Sequence, residues 1–478
     1  MPLTTSDLAV RFDEIEQLSR QEGLDFFDTY FEVVPMDVMH EVAAYGLPTR
    51  AQHWSYGKVY NHQKIHGEMG LSRIYEIVLN NDPCYAFLLD SNSDVANMLV
   101  AAHVFAHCDF FKNNDYFRGS NRNMVNEAVD HAIRIDKYIE KEGLEAVEHV
   151  MDIGFALDRH IDANLGLHRK PYPRREVLEQ VVHQDEYADL FGEEKLSVER
   201  RVVGDKVPPH PERDLLWFLA NYARIEPWEK DVLEIIRKES YYFFPQFETK
   251  IMNEGWASYW HAETMEHYDQ LTPSETIDFA HLHSGVVHPG SRFQLNPYYL
   301  GYKIFHDIEE RWDKMKEAGE SSIGGREKIF QVRQTDNDVS FISNYLTEDL
   351  ARDLKLMTYG YSDPDDSSDD SIEIKSRDLN QIVKALVAPR FNYGVPKIVV
   401  TEATADRLYL EHVPGDLAPL DQRYAQKTLE FIYELWKGPV ELVTWQKDKT
   451  LRMTVGPNGF DMQTVGDGEP LVADGREE

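Results

Sequence analysis

Apolar residues recur at helical spacing along most of this chain, and the pattern predicts a mainly helical protein. Over residues 5–30, Ser6 caps a helix whose apolar positions are Leu8, Phe12, Ile15 and Leu18. VVPMDVMHEVAAYGLPTR predicts a second helix that stops near Gly46 and Pro48, and GEMGLSRIYEIVLNNDP a third that ends before Pro83. Residues 93–111, with Ser93 or Asp94 as N-cap, are apolar nearly all round, the mark of a buried central helix. Helical spacing continues through 122–150. Residues 169–213 are polar and interrupted by Pro171, Pro173, Pro208, Pro209 and Pro211, which predicts a long excursion with little regular structure. Helices resume at 213–224, 227–239 and 245–268, and after a loop rich in His and Pro a further helix runs from about 298 to 317.

The character changes at SDPDDSSDDS (362–371), where clustered acids and low hydrophobicity predict a solvated linker. Beyond it DLNQIVKALV is helical, KIVVTEA and RLYLEHV alternate like paired strands, and QRYAQKTLEFIYELWKG is an amphipathic helix. VELVTWQ and LRMTVGPNGFDM read as strands again. The expected architecture is a large mainly α domain (1–360), an acidic linker (361–371) and a small α+β domain (372–478).

Composition narrows the class. The chain has 478 residues, 42% of them hydrophobic, enough for packed interiors. Acids outnumber bases 84 to 50, a net charge of −34. Such a surface repels phosphates and anionic lipid, so neither nucleic acid nor a membrane is an expected partner. The acids are spread along the chain, which fits a halophilic, high-salt interior better than one acidic docking tail. Only Cys84 and Cys108 are present, and the first residues lack a basic region followed by an apolar one, so a reducing cytoplasm is expected.

The chemistry starts on the buried helix. His103 and His107 are four apart and project from one face, the geometry for gripping one metal ion. With 19 histidines in 478 residues chance supplies roughly 0.7 such pairs, and the chain has two. The other, His62 and His66, lies on a polar stretch and reads as a solvated surface. A pair on an apolar helix has little water to satisfy it and needs a partner. Glu254, in NEGWASYWH (253–261), is the natural one, because Trp256, Ala257, Tyr259 and Trp260 surround its carboxylate with apolar bulk. His103, His107 and Glu254 make a His₂Glu ligand set. A metal-free network of buried hydrogen bonds explains the same residue types. Glu254 and His261, seven apart, share a helix face, so one helix presents two polar groups to one cavity.

AYGLPTRAQHWSYGKVY (44–60), IYEIVLNNDPCYAFLL (74–89), HVFAHCDFFKNN (103–114), NEGWASYWH and LNPYYLG (295–301), in this order, resemble the signature segments of the SpoVR family of stage V sporulation protein R-like proteins, and the resemblance extends over nearly the whole chain. It implies a cytoplasmic bacterial or archaeal protein, associated with spore cortex formation in sporulating relatives. Elsewhere it implies a partnership with a PrkA-type serine protein kinase and a YeaH-like von Willebrand A protein. The family's chemistry is not implied.

NEGWASY is also similar to the HEGWALY-type segment that supplies the third zinc ligand of gluzincin-type metallopeptidases. That likeness implies a zincin-like helical core in which His103, His107 and Glu254 bind a divalent metal, zinc by preference. Where those enzymes carry the glutamate of His-Glu-x-x-His, this chain has Val104. Glu76, on what reads as an apolar helix, is the candidate substitute, against a buried salt bridge to Arg73 or Arg50. Tyr259 and His261 are candidates to orient ligands or to donate to an oxyanion, against a satisfied core histidine. Asp109 faces away and pairs within DFFKNN. His281, His283, His288, Asn296 and Tyr298, in the expected loop, rank lower.

No Gly-Lys-Ser/Thr phosphate cradle and no Gly-x-Ser-x-Gly elbow occurs. Two readings therefore stand: a metal-dependent hydrolase of an amide or peptidoglycan-like bond, and a non-catalytic regulator or scaffold working with a kinase. Non-haem iron in a helical bundle is third, since Glu76 is the only further inward carboxylate.

Overall fold

The structure is a computed structural model. It describes residues 5–68, 76–172, 176–183, 195–202, 207–291, 294–361, 372–404, 406–413, 420–446 and 449–467. The acidic stretch 362–371 lies outside them. The chain forms two compact units, one of residues 1–148 and 238–394, the other of 149–237 and 395–478.

The first helix, α1, ends at Gln21 (Thr5–Gln21), well short of 30, and strand β1 (Thr29–Val34) follows it. The helices α2 (Met36–Tyr45) and α3 (Trp54–Glu68) come next, α2 closing at Gly46 in the left-handed conformation that only glycine adopts without strain. The expected helix through Glu76 is instead strand β2 (Glu76–Leu79), antiparallel to β3 (Cys84–Leu89), with β1 parallel on the other side of β3. Helical spacing around Glu76 misled because Ile77 and Val78 are β-branched, and the adjoining apolar run CYAFLL supplies a ready strand partner. After this sheet come α4 (Asp94–Asn113), α5 (Met124–Glu142) and α6 (Leu144–Leu157).

Within the expected irregular excursion, β4 (Glu176–His183) and β5 (Lys195–Val202) form an antiparallel pair. They are followed by α7 (Leu215–Tyr222), α8 (Pro227–Glu248), α9 (Lys250–Glu266), α10 (Pro273–Val286) and α11 (Pro297–Glu317). α8 continues through Pro245, and the break expected near 240–244 comes at Thr249. The expected loop beginning at His281 is shorter too, because α10 extends to Val286 behind a capping box of Thr272 and Glu275. Three shorter helices close this region, α12 (Gly325–Thr335), α13 (Asp338–Tyr345) and α14 (Glu348–Asp353), and α15 (Leu379–Val387) buries Ile382 and Val387 in the same core.

That core is built on α4 and α9. Every residue of α4 from Val95 to Phe111 is buried, after a start capped by the Ser93 side chain, which accepts from the Ala96 N–H at 3.2 Å. α9 is buried from Ile251 to Ala262. Its first turn has no side-chain cap of its own; Asp338 accepts instead from the Ile251 and Met252 N–H groups at 2.8 and 2.9 Å. The Trp256 indole donates to Asp109 at 2.9 Å, which fixes α9 against α4. Asp109 also accepts from the Asp25 amide and from Asn113 within DFFKNN. On the far side of α9, Gly255 meets Gly301 of α11. A Cβ on Gly255 would stand 2.4 Å from the Gly301 backbone, so this crossing exists only with glycine at both positions.

After the short strands β6 (Gly290–Ser291), β7 (Gln294–Leu295), β8 (Thr358–Tyr361) and β9 (Ile372–Ser376), the second unit carries a mixed five-stranded sheet ordered β10 (Ile398–Ala403), β11 (Leu408–His412), β12 (Val440–Gln446), β13 (Lys449–Gly456) and β14 (Gly459–Asp467). Only β11 and β12 are parallel, as their connection through α16 (Gln422–Trp436) requires. Ala425, Leu429, Ile432 and Leu435 form the buried stripe of α16. The protein is thus mainly α, with a small α+β unit towards its C-terminal end. No described helix is long and apolar enough to cross a membrane.

Candidate metal centre

His103 and His107 stand one turn apart on α4, their rings perpendicular with centroids 4.6 Å apart. Glu254, at the start of α9, closes the group: its Oε2 lies 3.6 Å from His103 Nε2 and 3.5 Å from His107 Nε2. These separations are longer than a good hydrogen bond. They match the donor–donor edge, roughly 3.3–3.5 Å, of a tetrahedron with metal–ligand bonds near 2.0–2.1 Å. All three ligand atoms fall within 4.8 Å of one another. His103 Nε2 and Glu254 Oε2 are both buried without a hydrogen-bond partner. Two buried, unsatisfied lone-pair atoms 3.6 Å apart are a costly arrangement for a core and an ordinary one for a metal site.

Each member of the cluster is held from behind. The other Glu254 oxygen accepts from Lys250 Nζ at 2.6 Å, one helical turn earlier. His107 Nδ1 lies 2.9 Å from Asn253 Oδ1, an acceptor, so Nδ1 carries the proton and Nε2 keeps its lone pair for the cluster. His103 Nδ1 lies 2.9 Å from His261 Nδ1, and His261 Nε2 2.8 Å from His283 Nδ1 on α10. Every nitrogen–nitrogen contact needs one donor and one acceptor. With the His103 lone pair turned to the cluster, His103 Nδ1–H donates to His261, and His261 Nε2–H to His283.

Electrostatics favour ligand forms at neutral pH. Burial, reinforced by the neighbouring His103, lowers His107 to about 4. Burial also lowers His261 well below the ordinary imidazole value, again with help from the surrounding imidazoles. For Glu254 burial alone would raise the pKa, but Lys250 and the two imidazoles outweigh it and hold the carboxylate well below its usual range. Burial pushes Glu76 the other way, upward.

Of the residues singled out from sequence, His103, His107, Glu254 and His261 come together. Glu76 joins them from β2, its Oε1 3.9 Å from His103 Nε2. It forms no pair with Arg50, which binds Glu239 at 2.6 Å, and Arg73 lies outside the described residues. Tyr259 is not brought to the cluster: its hydroxyl donates to Glu309 on α11 at 2.6 Å. Five positions beyond Glu254, it falls on another helix face. Further contributors, His283 of the histidine chain among them, rank low in the sequence or escape it. Asn253 and Lys250 flank Glu254, and the i, i+4 spacing of Lys250 and Glu254 was a readable signal. Tyr298 stacks on His103 with ring centroids 6.0 Å apart. It lines, with Glu76, His103 and His281, a cavity of about 500 Å³.

Fold and site together define a mainly helical protein with a buried histidine–carboxylate cluster open to a cavity. The SpoVR like protein family matches residues 3–394 and the SpoVR-like C-terminal domain residues 396–447. The chain belongs to the SpoVR family. It is similar to the uncharacterized protein YcgB of Escherichia coli (strain K12), with 29% identity over 495 aligned residues and 93% of each chain covered. No solved structure matches the chain significantly.

Proposed function

We propose that this SpoVR-family protein works in the cytoplasm and binds one divalent metal ion, zinc by preference, through His103 Nε2, His107 Nε2 and Glu254 Oε2. The site would serve hydrolysis of an amide or related carbonyl bond. The observation that carries the reading is the convergence of these three atoms, two of them buried and without a partner. A bound ion would supply Lewis acidity to a carbonyl and to water. The rest falls to the chain's own groups. Asn253, Lys250 and His261 aim the ligands. Glu76 opens on the cavity beside His103, where a carboxyl raised by burial is suited to take a proton from water and return it to a leaving group. It would fill the role left open by Val104.

One observation favours a second reading. Val104, which replaces the glutamate of the peptidase motif, is fully buried apolar core. A site without catalysis, in a regulator or scaffold acting with a PrkA-type kinase and a YeaH-like partner, accounts for it.

The deciding measurement is metal content by mass spectrometry on untagged protein, wild type beside His107→Ala. One equivalent in the wild type, lost in the variant, is expected. No metal in either protein would overturn the metal reading and leave a polar core.

A further inference from the structure

The cavity beside the cluster has two unlike ends. Its volume, about 500 Å³, is in the range of small-molecule sites. Glu76, His103 and Tyr298 make the polar end. Apart from His281 and Asn296, the walls leading to it are aliphatic. Ala96, Leu99, Val100 and His103 follow the i, i+3, i+4, i+7 pattern that puts four residues on one face of α4. Opposite them Leu282 and Val286, one turn apart, come from α10.

This lining discriminates among ligands. No lysine or arginine is among the described residues of the cavity wall, and the chain carries a net charge of −34. A nucleotide or other polyanion would find nothing there to neutralise it. A sugar would leave hydroxyls unpaired against Leu99, Val100, Leu282 and Val286, each at a cost in free energy. A saturated hydrocarbon chain meets neither penalty and gains by leaving water.

We propose that the cavity takes the acyl group of an aliphatic acyl amide, its carbonyl directed to the His103–Glu76 end and its chain lying between α4 and α10. This rests on the metal reading above and narrows its substrate class, away from glycans and towards acyl amides. In the reaction the acyl carbon–nitrogen bond breaks. Water supplies the oxygen that bonds to the acyl carbon and the proton that leaves with the amine, so the products are a carboxylic acid and a free amine.

Calorimetric titration of the zinc-loaded full chain with alkyl hydroxamates, from acetyl to octanoyl, tests this. The hydroxamate head is a metal chelator that stands in for the carbonyl end. The expected result is a roughly three- to fourfold gain in affinity per added methylene until the chain fills the slot. A Val286→Trp variant, with unchanged zinc stoichiometry, should lose most of that gain. Affinity that is absent, or independent of chain length, on zinc-loaded protein would overturn the acyl assignment and leave the metal site intact. Failure of the full chain to hold zinc would overturn the metal reading itself. Should Val286→Trp not fold, the chain-length series on the wild type decides alone.

Discussion

His103 and His261 meet nitrogen to nitrogen, with 2.9 Å between their Nδ1 atoms, from two helices that are 158 residues apart in sequence. One of the two must donate and the other accept, so a residue outside the cluster sets which nitrogen of His103 carries the proton. Replacing His261 by Phe keeps a ring in the core and removes the acceptor. The expected result is a 10- to 100-fold loss of zinc affinity in a chelator competition, with partial rescue in His261→Gln. Unchanged affinity in both variants would show that His261 is only packing.

Gly255 adjoins Glu254 in sequence and touches Gly301 across the helix crossing. Gly255→Ala would drive a methyl to 2.4 Å from backbone atoms, which nothing but a shift of α9 or α11 can relieve. We expect a loss of about 2 kcal/mol or more in urea unfolding. We also expect weaker zinc binding, because the turn that must move carries Glu254. A variant as stable as the wild type would mean that the helices slide at no cost.

Stability of the metal-free protein should fall in mild acid. His107 is lowered to about 4 in the folded protein from 6.5. As pH drops through that window protons bind the unfolded chain first. The contribution of neutral, buried His107 is therefore fully present above pH 6.5 and lost as pH approaches 4. The loss from this residue is about 3 kcal/mol. Urea titrations across the window should show a shallower decline for His107→Gln than for the wild type. Parallel declines would mean that His107 is no source of the effect.

Trp256 and Asp109 test the joint between α4 and α9. Trp256→Phe removes the indole donor and leaves a fully buried carboxylate oxygen one partner short. A loss of about 1–3 kcal/mol is expected. No loss would assign the joint to apolar packing alone.

Much of the site could be read from local spacing. His103 with His107, and Glu254 with His261, share faces because the helix repeat places residues four and seven apart on one side whatever the rest of the chain does. Burial of both helices was legible for the same reason: a helix apolar all round has nowhere to go but inside. The strands and the amphipathic helix of the C-terminal region showed in their periods of two and 3.6.

The sequence predicts a helix at Glu76 because a short apolar run does not tell helix from strand, and only pairing with Cys84–Leu89 makes it a strand. Tyr259, a candidate to orient ligands or to donate to an oxyanion because it shares the helix of Glu254, instead donates its hydroxyl to Glu309, 50 residues away. The sequence predicts a loop at His283, which completes the histidine chain only because α10 runs on to Val286.

What the sequence determined by itself is which residues share a face and which faces must be buried, since both follow from backbone geometry and hydrophobicity within a few turns. Which buried faces meet was decided only by the tertiary structure. The convergence of His103, His107 and Glu254 depends on Gly255 crossing Gly301, on Trp256 reaching Asp109 and on Asp338 capping α9. Each of those contacts joins residues that no local period relates.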